Sequence, residues 1–125
     1  VVALDESPGV KIPDNHPNGI TRTLTTTETG QVQDVAVSVD ITHTYIQDLS
    51  VTLESSDGTL VSLHHHTGGD ADNIITTYTP ATTAGLQNLR GEAIAGAWQL
   101  QVADLAGADL GKLNRWALRI VRQPD

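Results

Sequence analysis

The chain has 125 residues, seven Lys and Arg against fifteen Asp and Glu, a formal net charge of -8 and no Cys. That length suits one domain with its own core, and the charge argues against nucleic acid and against an anionic membrane surface. No apolar run approaches the roughly 18 residues of a membrane span. Because Met is also absent, we expect a processed or excised piece of a longer protein.

Residues 1–11 predict a linker or lead-in, since Pro and Gly punctuate the beginning of the chain. Beyond it, apolar and small polar residues alternate in short runs, with Asp57-Gly58 typical of a hairpin turn. The expected strands are 20–27, 32–42, 49–54, 60–64, 74–79, 97–102 and 112–121. Residues 81–89 predict at most one helical turn. Many short strands with regular turn signals predict an all-β sandwich.

The only two tryptophans lie in the last two expected strands. Alternation with polar neighbours places Trp98 and Trp116 on the inward side, where bulky aromatic side chains anchor a core. An exposed aromatic platform for a ligand would then be missing from these strands.

Acidic residues fall in the loops that strand parity brings together. Each antiparallel connection crosses to the other end of a sandwich, so alternate loops lie at the same end. The loops 43–48 and 66–73 should therefore meet. The loop 104–111 joins them if the long connection 80–97 restores the alternation. Oxygen ligands converging from irregular loops suit Ca²⁺, although such residues also serve as ordinary turn formers. The candidate calcium ligands are Asp48, Asp70, Asp72, Asn73, Asp104 and Asp109.

The internal run of three histidines does not predict a zinc site. Neighbouring residues on a strand point to opposite faces, so only His64 and His66 could share a metal, with no third ligand evident. We assign no zinc and expect a strand end that runs into solvent.

The break in alternation at 43–48 invites a catalytic interpretation. His43 and Asp48 with Ser50 or Ser62 have the composition of a hydrolase triad, but no Gly-x-Ser-x-Gly elbow presents a nucleophile. A structural corner is the favoured interpretation, in which His43 and Tyr45 hydrogen-bond backbone across the bend. We therefore predict no catalytic residues in this chain.

Several motifs taken together resemble the P domain, also called P/Homo B. This module follows the catalytic domain in kexin- and furin-like proprotein convertases and occurs in many secreted bacterial subtilisin-like proteases. Segments 12–19, 32–63, 68–73 and 96–120 carry the resemblance in the right order. The matching corner and strand residues are His43, Tyr45, Asp48, Leu49, Gly96, Trp98, Asp104, Gly111, Leu113 and Trp116.

The resemblance implies a jelly-roll β-sandwich of about eight antiparallel strands over 12–125. It also implies an extracellular, non-catalytic accessory domain that stabilises the catalytic domain of the same protein, or helps it to fold or mature, and sometimes contributes to substrate contact. Bacterial jelly rolls of this kind often carry calcium in their loops. We expect no nucleic-acid partner, no membrane insertion and a monomer in isolation.

The chain also departs from the convertase pattern. Ile46-Gln47-Asp48 replaces the usual Arg-Gly-Asp, and Asp57 replaces the proline of the usual Ser-Pro-Gly-Thr turn. The segment 80–97 is shorter than its convertase counterpart. These differences indicate the bacterial branch of the family. The alternative function is a binding or adhesion module that attaches a secreted enzyme to a protein, a glycan or a cell surface, because a fold alone does not decide function.

Overall fold

A computed structural model describes residues 1–13, 16–69, 71–105 and 111–124, with the backbone alone at 16–18. Strands dominate these ranges, and short 3-10 turns lie at Ile46–Asp48 and Ala84–Leu89. The strands are β1 Val2–Glu6, β2 Val10–Ile12, β3 His16–Thr26, β4 Val32–His43, β5 Leu49–Glu54, β6 Leu60–His65, β7 Ile74–Tyr78, β8 Gly96–Asp104 and β9 Gly111–Arg122.

Two antiparallel sheets form the sandwich. In the first sheet β1 and β2 both pair with one edge of β9, β4 pairs with its other edge, and β7 lies beyond β4. The strands of the second sheet lie side by side in the order β3-β8-β5-β6. If β1 and β2 are counted as one interrupted strand, each sheet has four strands in jelly-roll order. The predicted all-β jelly-roll class is confirmed.

The opening segment differs from its predicted role as a lead-in. Residues 1–11 include β1 and the start of β2, and the break between the two strands contains Gly9 at a φ of +57°. Glu6 Oε1 accepts a hydrogen bond from Trp116 Nε1 of the same sheet at 2.8 Å and one from Arg22 Nε of the other sheet at 2.9 Å. The sequence signal was lost because an interrupted strand has too few residues to show alternation. The boundary at residue 12 stays a prediction.

The core is built from the inward side chains of the alternating strands. Val35, Val37 and Ile41 on β4 are fully buried, and so are Trp98 and Trp116. Full burial of a side chain the size of Val or Leu contributes about 1.5–3 kcal/mol. The sandwich therefore holds together through aliphatic and indole packing, with Thr and Ser on the outside.

The break at 43–48 is the point where the chain leaves the first sheet, in β4, and enters the second, in β5. β4 continues to His43 and β8 to Asp104, both beyond their predicted ends. Over the described residues, no helix has the length and apolarity needed to cross a bilayer.

Candidate functional site at the His43 corner

Three connections meet at one end of the sandwich, as strand parity predicts. Asn73 N donates to His43 O at 2.8 Å, which joins the β6–β7 connection to the end of β4. Leu105 N donates to Asp48 O, also at 2.8 Å, which joins the residue after β8 to the 46–48 turn. We call this cluster of His43, Asn73, Asp104 and the turn the His43 corner.

His43 and Asp104 form a pair at its centre. The His43 Nε2 and Asp104 Oδ2 atoms are 3.0 Å apart, and both side chains are 0% exposed. His43 Nδ1 accepts a hydrogen bond from Tyr45 N at 3.0 Å. A backbone N–H can only donate, so Nδ1 carries no proton, and the ring is neutral with its proton on Nε2. Nε2–H therefore donates to the Asp104 carboxylate.

This bonding leaves the His43 ring unable to act as a general base. A catalytic histidine needs a free nitrogen lone pair that faces the hydroxyl it deprotonates. Here one ring nitrogen accepts from Tyr45 N and the other donates to Asp104, so neither is available to Ser50 or Ser62. The His43–Asp104 hydrogen bond holds the end of β4 against the end of β8. We call this pair the clamp.

Tyr45 contributes through its backbone, whereas the sequence predicts a role for its side chain. Its N–H donates to His43 Nδ1, and its carbonyl accepts from Asp48 N at 3.1 Å. The phenol is half-buried, and its hydroxyl makes no hydrogen bond within the described residues.

The histidines at the end of β6 hold the 46–48 turn. His64 Nε2 lies 2.9 Å from Ile46 O, and His66 Nδ1 lies 3.0 Å from Gln47 O. A carbonyl oxygen only accepts, so both of these nitrogens are protonated donors. The sequence shows the histidines but not this use, because the carbonyls come from a distant loop.

Asn73 and Gly111 show how tightly the corner is built. Asn73 has a φ of +63°, a left-handed conformation that Asn tolerates better than most residues, and its Oδ1 accepts from His43 N at 3.0 Å. A Cβ at Gly111 would lie 2.5 Å from His43 Cδ2 and 2.9 Å from Thr42 O. Only glycine lets β9 begin this close to the clamp.

The six candidate calcium ligands are placed only in part. Asp70 and Asp109 lie outside the described residues. Asp104 Oδ2 and Asn73 Oδ1 are both engaged with His43, Asp48 is half-buried and Asp72 is exposed. Within the described ranges, no three His, Cys, Asp or Glu side chains come together in a way that could hold a metal ion. These residues do not by themselves fit a calcium site, and calcium binding at these positions stays a prediction.

The opposite end of the sandwich is closed by another carboxylate. Glu92 Oε1 accepts from Ser55 Oγ at 2.6 Å, and its Oε2 accepts from Thr59 Oγ1 at 2.7 Å. The long 79–95 connection is thereby fixed to the β5–β6 hairpin. Ser56 and Asp57 form the tip of that hairpin, Gly58 N donates to Ser55 O at 3.0 Å, and Gly58 has the positive φ that the sequence predicts.

A third carboxylate, Glu6, lies between the sheets. The pKa of Glu6 is lowered, chiefly because Arg22 hydrogen-bonds its carboxylate, while burial opposes the shift and the Trp116 indole N–H adds to the lowering. Trp98 Nε1 likewise has a partner, the carbonyl of Ile94 at 2.9 Å. Both tryptophans are buried and hydrogen-bonded, so neither offers a surface to a ligand.

Comparison with known proteins identifies the family. Residues 32–120, well over half of the chain, match the family model described as the proprotein convertase P-domain. The chain belongs to the P-domain family. The P-domain resemblance seen in the sequence is thereby confirmed.

Curated relatives of this P domain are bacterial enzymes. It is 35% identical over 118 residues to leupeptin-inactivating enzyme 1 of Streptomyces exfoliatus, covering 93% of this chain and 25% of the relative. It is 41% identical over 100 residues to a calcium-dependent protease of Trichormus variabilis, covering 78% of this chain and 15% of that protein. A transglutaminase-activating metalloprotease of Streptomyces mobaraensis is 31% identical over 111 residues, with 87% and 14% covered. The chain thus spans a quarter or less of each.

Solved structures share the fold. The serine protease of Aeromonas sobria, in complex with the chaperone ORF2, aligns with a TM-score of 0.76 at 20% identity, covering 99% of this chain and 27% of that one. FlhE aligns with a TM-score of 0.61 at 14% identity, with 98% and 97% covered. At these identities the likeness concerns the fold alone.

Proposed function

We propose that this P domain is a non-catalytic accessory domain of a secreted bacterial protease, most simply a subtilisin-like serine protease. It stabilises the adjoining catalytic domain or assists its folding and maturation, and it contributes to substrate contact where the two domains meet. The partner is the catalytic domain of the same polypeptide.

One observation carries this proposal. The domain matches a quarter or less of three relatives whose names differ in chemistry, from a calcium-dependent protease to a metalloprotease. A module that recurs beside different catalytic chemistries is not the unit that performs them. The His43–Asp104 pair agrees with this, because neither nitrogen of the His43 ring is free to move a substrate proton.

The stabilising mechanism is linkage between domains. Contacts between domains of one chain typically bury about 600–1,500 Å². A partner that binds only the folded catalytic domain shifts the folding equilibrium toward that state by mass action. The accessory domain would thus act as a tethered ligand of its neighbour.

The experiment compares the full-length parent with a version that ends before this domain. We expect a shorter half-life of thermal inactivation and a lower yield of mature enzyme from the truncated version. Equal half-lives together with equal yields would overturn the proposal. Retention of the isolated domain on collagen, elastin or polysaccharide, combined with equal half-lives, would instead support the adhesion module.

Calcium is a second, finer part of the proposal. Two relatives, 41% identical, are named calcium-dependent proteases, and the loops predicted from the sequence to meet at one end of the sandwich carry the candidate ligands Asp48 and Asp72. A cation bound only by the folded state raises the melting temperature.

We expect EGTA to lower the melting temperature of the domain and added Ca²⁺ to restore it. Asp48→Ala should blunt this response, whereas Asp57→Ala, at the opposite end of the sandwich, should leave it intact. A melting temperature that is indifferent to EGTA would return these carboxylates to their roles as turn residues.

A further inference from the structure

The cations of this acidic chain are concentrated on one face. Of the seven Lys and Arg, four lie on the outer surface of the first sheet and Arg90 stands at its rim. Those four are Lys11 on β2 and Lys112, Arg115 and Arg119 on β9. Only three described carboxylates share this surface: Asp5, Asp34 and Asp40. We call this surface the β9 face.

The pairing of these cations is incomplete. Arg115 pairs with Asp5 at 3.2 Å and Arg90 with Asp34 at 2.9 Å, both in half-exposed positions. Arg119, Lys11 and Lys112 form no ion pair with any described residue. All the cations without an ionic partner in the described ranges therefore lie on the β9 face.

The register makes Arg119 accessible. Its cross-strand neighbours are Ala3 on β1 and Ala36 on β4, so small side chains flank it on both sides. An arginine fork can bind a carboxylate through two parallel hydrogen bonds, and short neighbours leave the approach to its guanidinium open. The register also sets Lys11 directly opposite Lys112. Like charges facing each other across strands are unfavourable, and an arriving anion would relieve them.

The shape of the β9 face suits an extended partner. Three adjoining depressions of about 370, 300 and 370 Å³ cross it, with Arg119 lining the first two and Arg115 the last two. A fourth, of about 330 Å³, contains Lys11 and Lys112. Ile75 on the edge strand β7 is 70% exposed at the side of the third depression. Arg is enriched among the residues that dominate interface energetics, and covering the exposed Ile75 side chain would remove apolar surface from water.

The other face of the sandwich differs in kind. A depression of about 240 Å³ on that face is lined by Thr21, Thr52, Leu60, Gln99 and Gln101 with Glu54, and no cation lines it. A carboxylate brought to that face would meet Glu54 and no positive charge. Charge complementarity therefore separates the two faces for an acidic partner.

We propose that the β9 face is the surface on which an acidic segment of the longer parent polypeptide docks, with a carboxylate of that segment paired to Arg119 and an apolar contact at Ile75. This inference rests on the proposed accessory function and specifies its interface. The occupant lies outside these 125 residues, since the curated relatives are at least four times the length of the part matched here.

A water-soluble carbodiimide tests the docking directly in the full-length parent. The reagent condenses a lysine amine with a carboxylate in contact, and Lys11 and Lys112 are the only lysines of this chain. Mass spectrometry should find links from them to Asp or Glu outside the domain. Inter-domain links that join only Glu54 or Asp57 to lysines of the parent would overturn the proposal, and so would a complete absence of inter-domain links.

Matched substitutions give a second readout. Arg119→Gln should reduce the thermal half-life of the parent roughly three- to fivefold at low salt, the effect of one exposed ion pair, and less at high salt. Arg122→Gln removes the same charge from β9 but away from the face. It also breaks the exposed Arg122–Glu28 pair within the domain, so its effect should be no larger than that of Glu28→Gln, which breaks the same pair. Ile75→Ser should shorten the half-life, whereas Leu60→Ser, equally exposed at 68% on the other sheet, should not.

The outcomes separate the two proposals. If truncation destabilises the parent but Arg119→Gln and Ile75→Ser do not, the accessory function stands and the β9 face is not its docking surface. A parent that is unaffected by truncation refutes the accessory function itself. Capture of the parent on phosphatidylserine vesicles through the same lysines, without inter-domain links, would assign the β9 face to a membrane partner and overturn the inference.

Discussion

The two ends of the sandwich are both closed by a carboxylate, but in different surroundings. At the His43 corner, Asp104 is 0% exposed and its partner is an imidazole that is equally buried. At the hairpin end, Glu92 is half-buried and is held by the hydroxyls of Ser55 and Thr59. The His43 corner thus depends on a carboxylate that is fully buried, whereas the carboxylate at the hairpin end is partly exposed to solvent.

The contrast predicts which end tolerates change. A buried charge that loses its partner cannot be rehydrated without opening the structure, so the loss is large. A hydroxyl that loses a half-exposed carboxylate can turn to water, so the loss is modest. The His43 corner should therefore be the more brittle of the two.

The largest effect is expected from His43→Ala. The substitution removes the hydrogen bonds that His43 makes with the Asp104 carboxylate and with Tyr45 N–H, and it leaves a cavity in place of a buried ring, so it should lower the free energy of unfolding by about 3–5 kcal/mol. Chemical denaturation measures it. The double variant His43→Leu with Asp104→Leu should cost less than His43→Ala, because it also removes the buried carboxylate and fills the space with apolar side chains. A single-variant loss below about 1 kcal/mol would show that water reaches the corner.

Next in size is Gly111→Ala at the same end. Its Cβ would press on the His43 ring and on Thr42 O, and overpacking of this kind costs about 1–3 kcal/mol. Gly58→Ala, at the hairpin tip, meets no atom within 4 Å and is strained only by its φ of +89°. We expect its cost to be near 1 kcal/mol. Equal losses at the two glycines would remove the distinction between a crowded end and an open one.

A smaller effect is expected from Glu92→Ala at the hairpin end. The loss of two hydrogen bonds from hydroxyls should lower the free energy of unfolding by about 1–2 kcal/mol. Glu54→Ala on the second sheet serves as the control and should change little, because the Glu54 carboxylate accepts no hydrogen bond from the residues that the structure describes. If Glu92→Ala lowers the free energy of unfolding as much as His43→Ala does, partial exposure of the carboxylate does not reduce the cost at this end.

The smallest effect concerns pH and the third carboxylate. The pKa of Glu6 is lowered in the folded state, first by the hydrogen bond from Arg22. Its stabilisation is complete while the unfolded carboxyl is ionised and is lost as the pH falls from about 5 toward the lowered pKa. Because Arg22 is 37% exposed, the contribution should stay below about 1 kcal/mol. Glu6→Gln should flatten the pH dependence below pH 5, and an unchanged slope would exclude Glu6 as its source.

The sequence was informative where patterns are local. Alternation located β4, β5 and β9 to within one or two residues, and strand parity brought the 43–48 and 66–73 loops to one end. It could not show that Asn73 Oδ1 bonds His43 N or that His64 donates to Ile46 O, because those partners lie 30 and 18 residues away. β1 was missed because three inward side chains are too few for a period.

The closed bonding of the His43 ring has a practical consequence. An imidazole N–H that points at a carboxylate and never meets bulk water exchanges its proton slowly, since exchange requires local opening. A one-dimensional proton NMR spectrum should therefore contain one isolated downfield resonance from this group. Loss of this resonance on warming would show that the His43 corner opens at a lower temperature than the rest of the sandwich. The measurement needs no label on the protein.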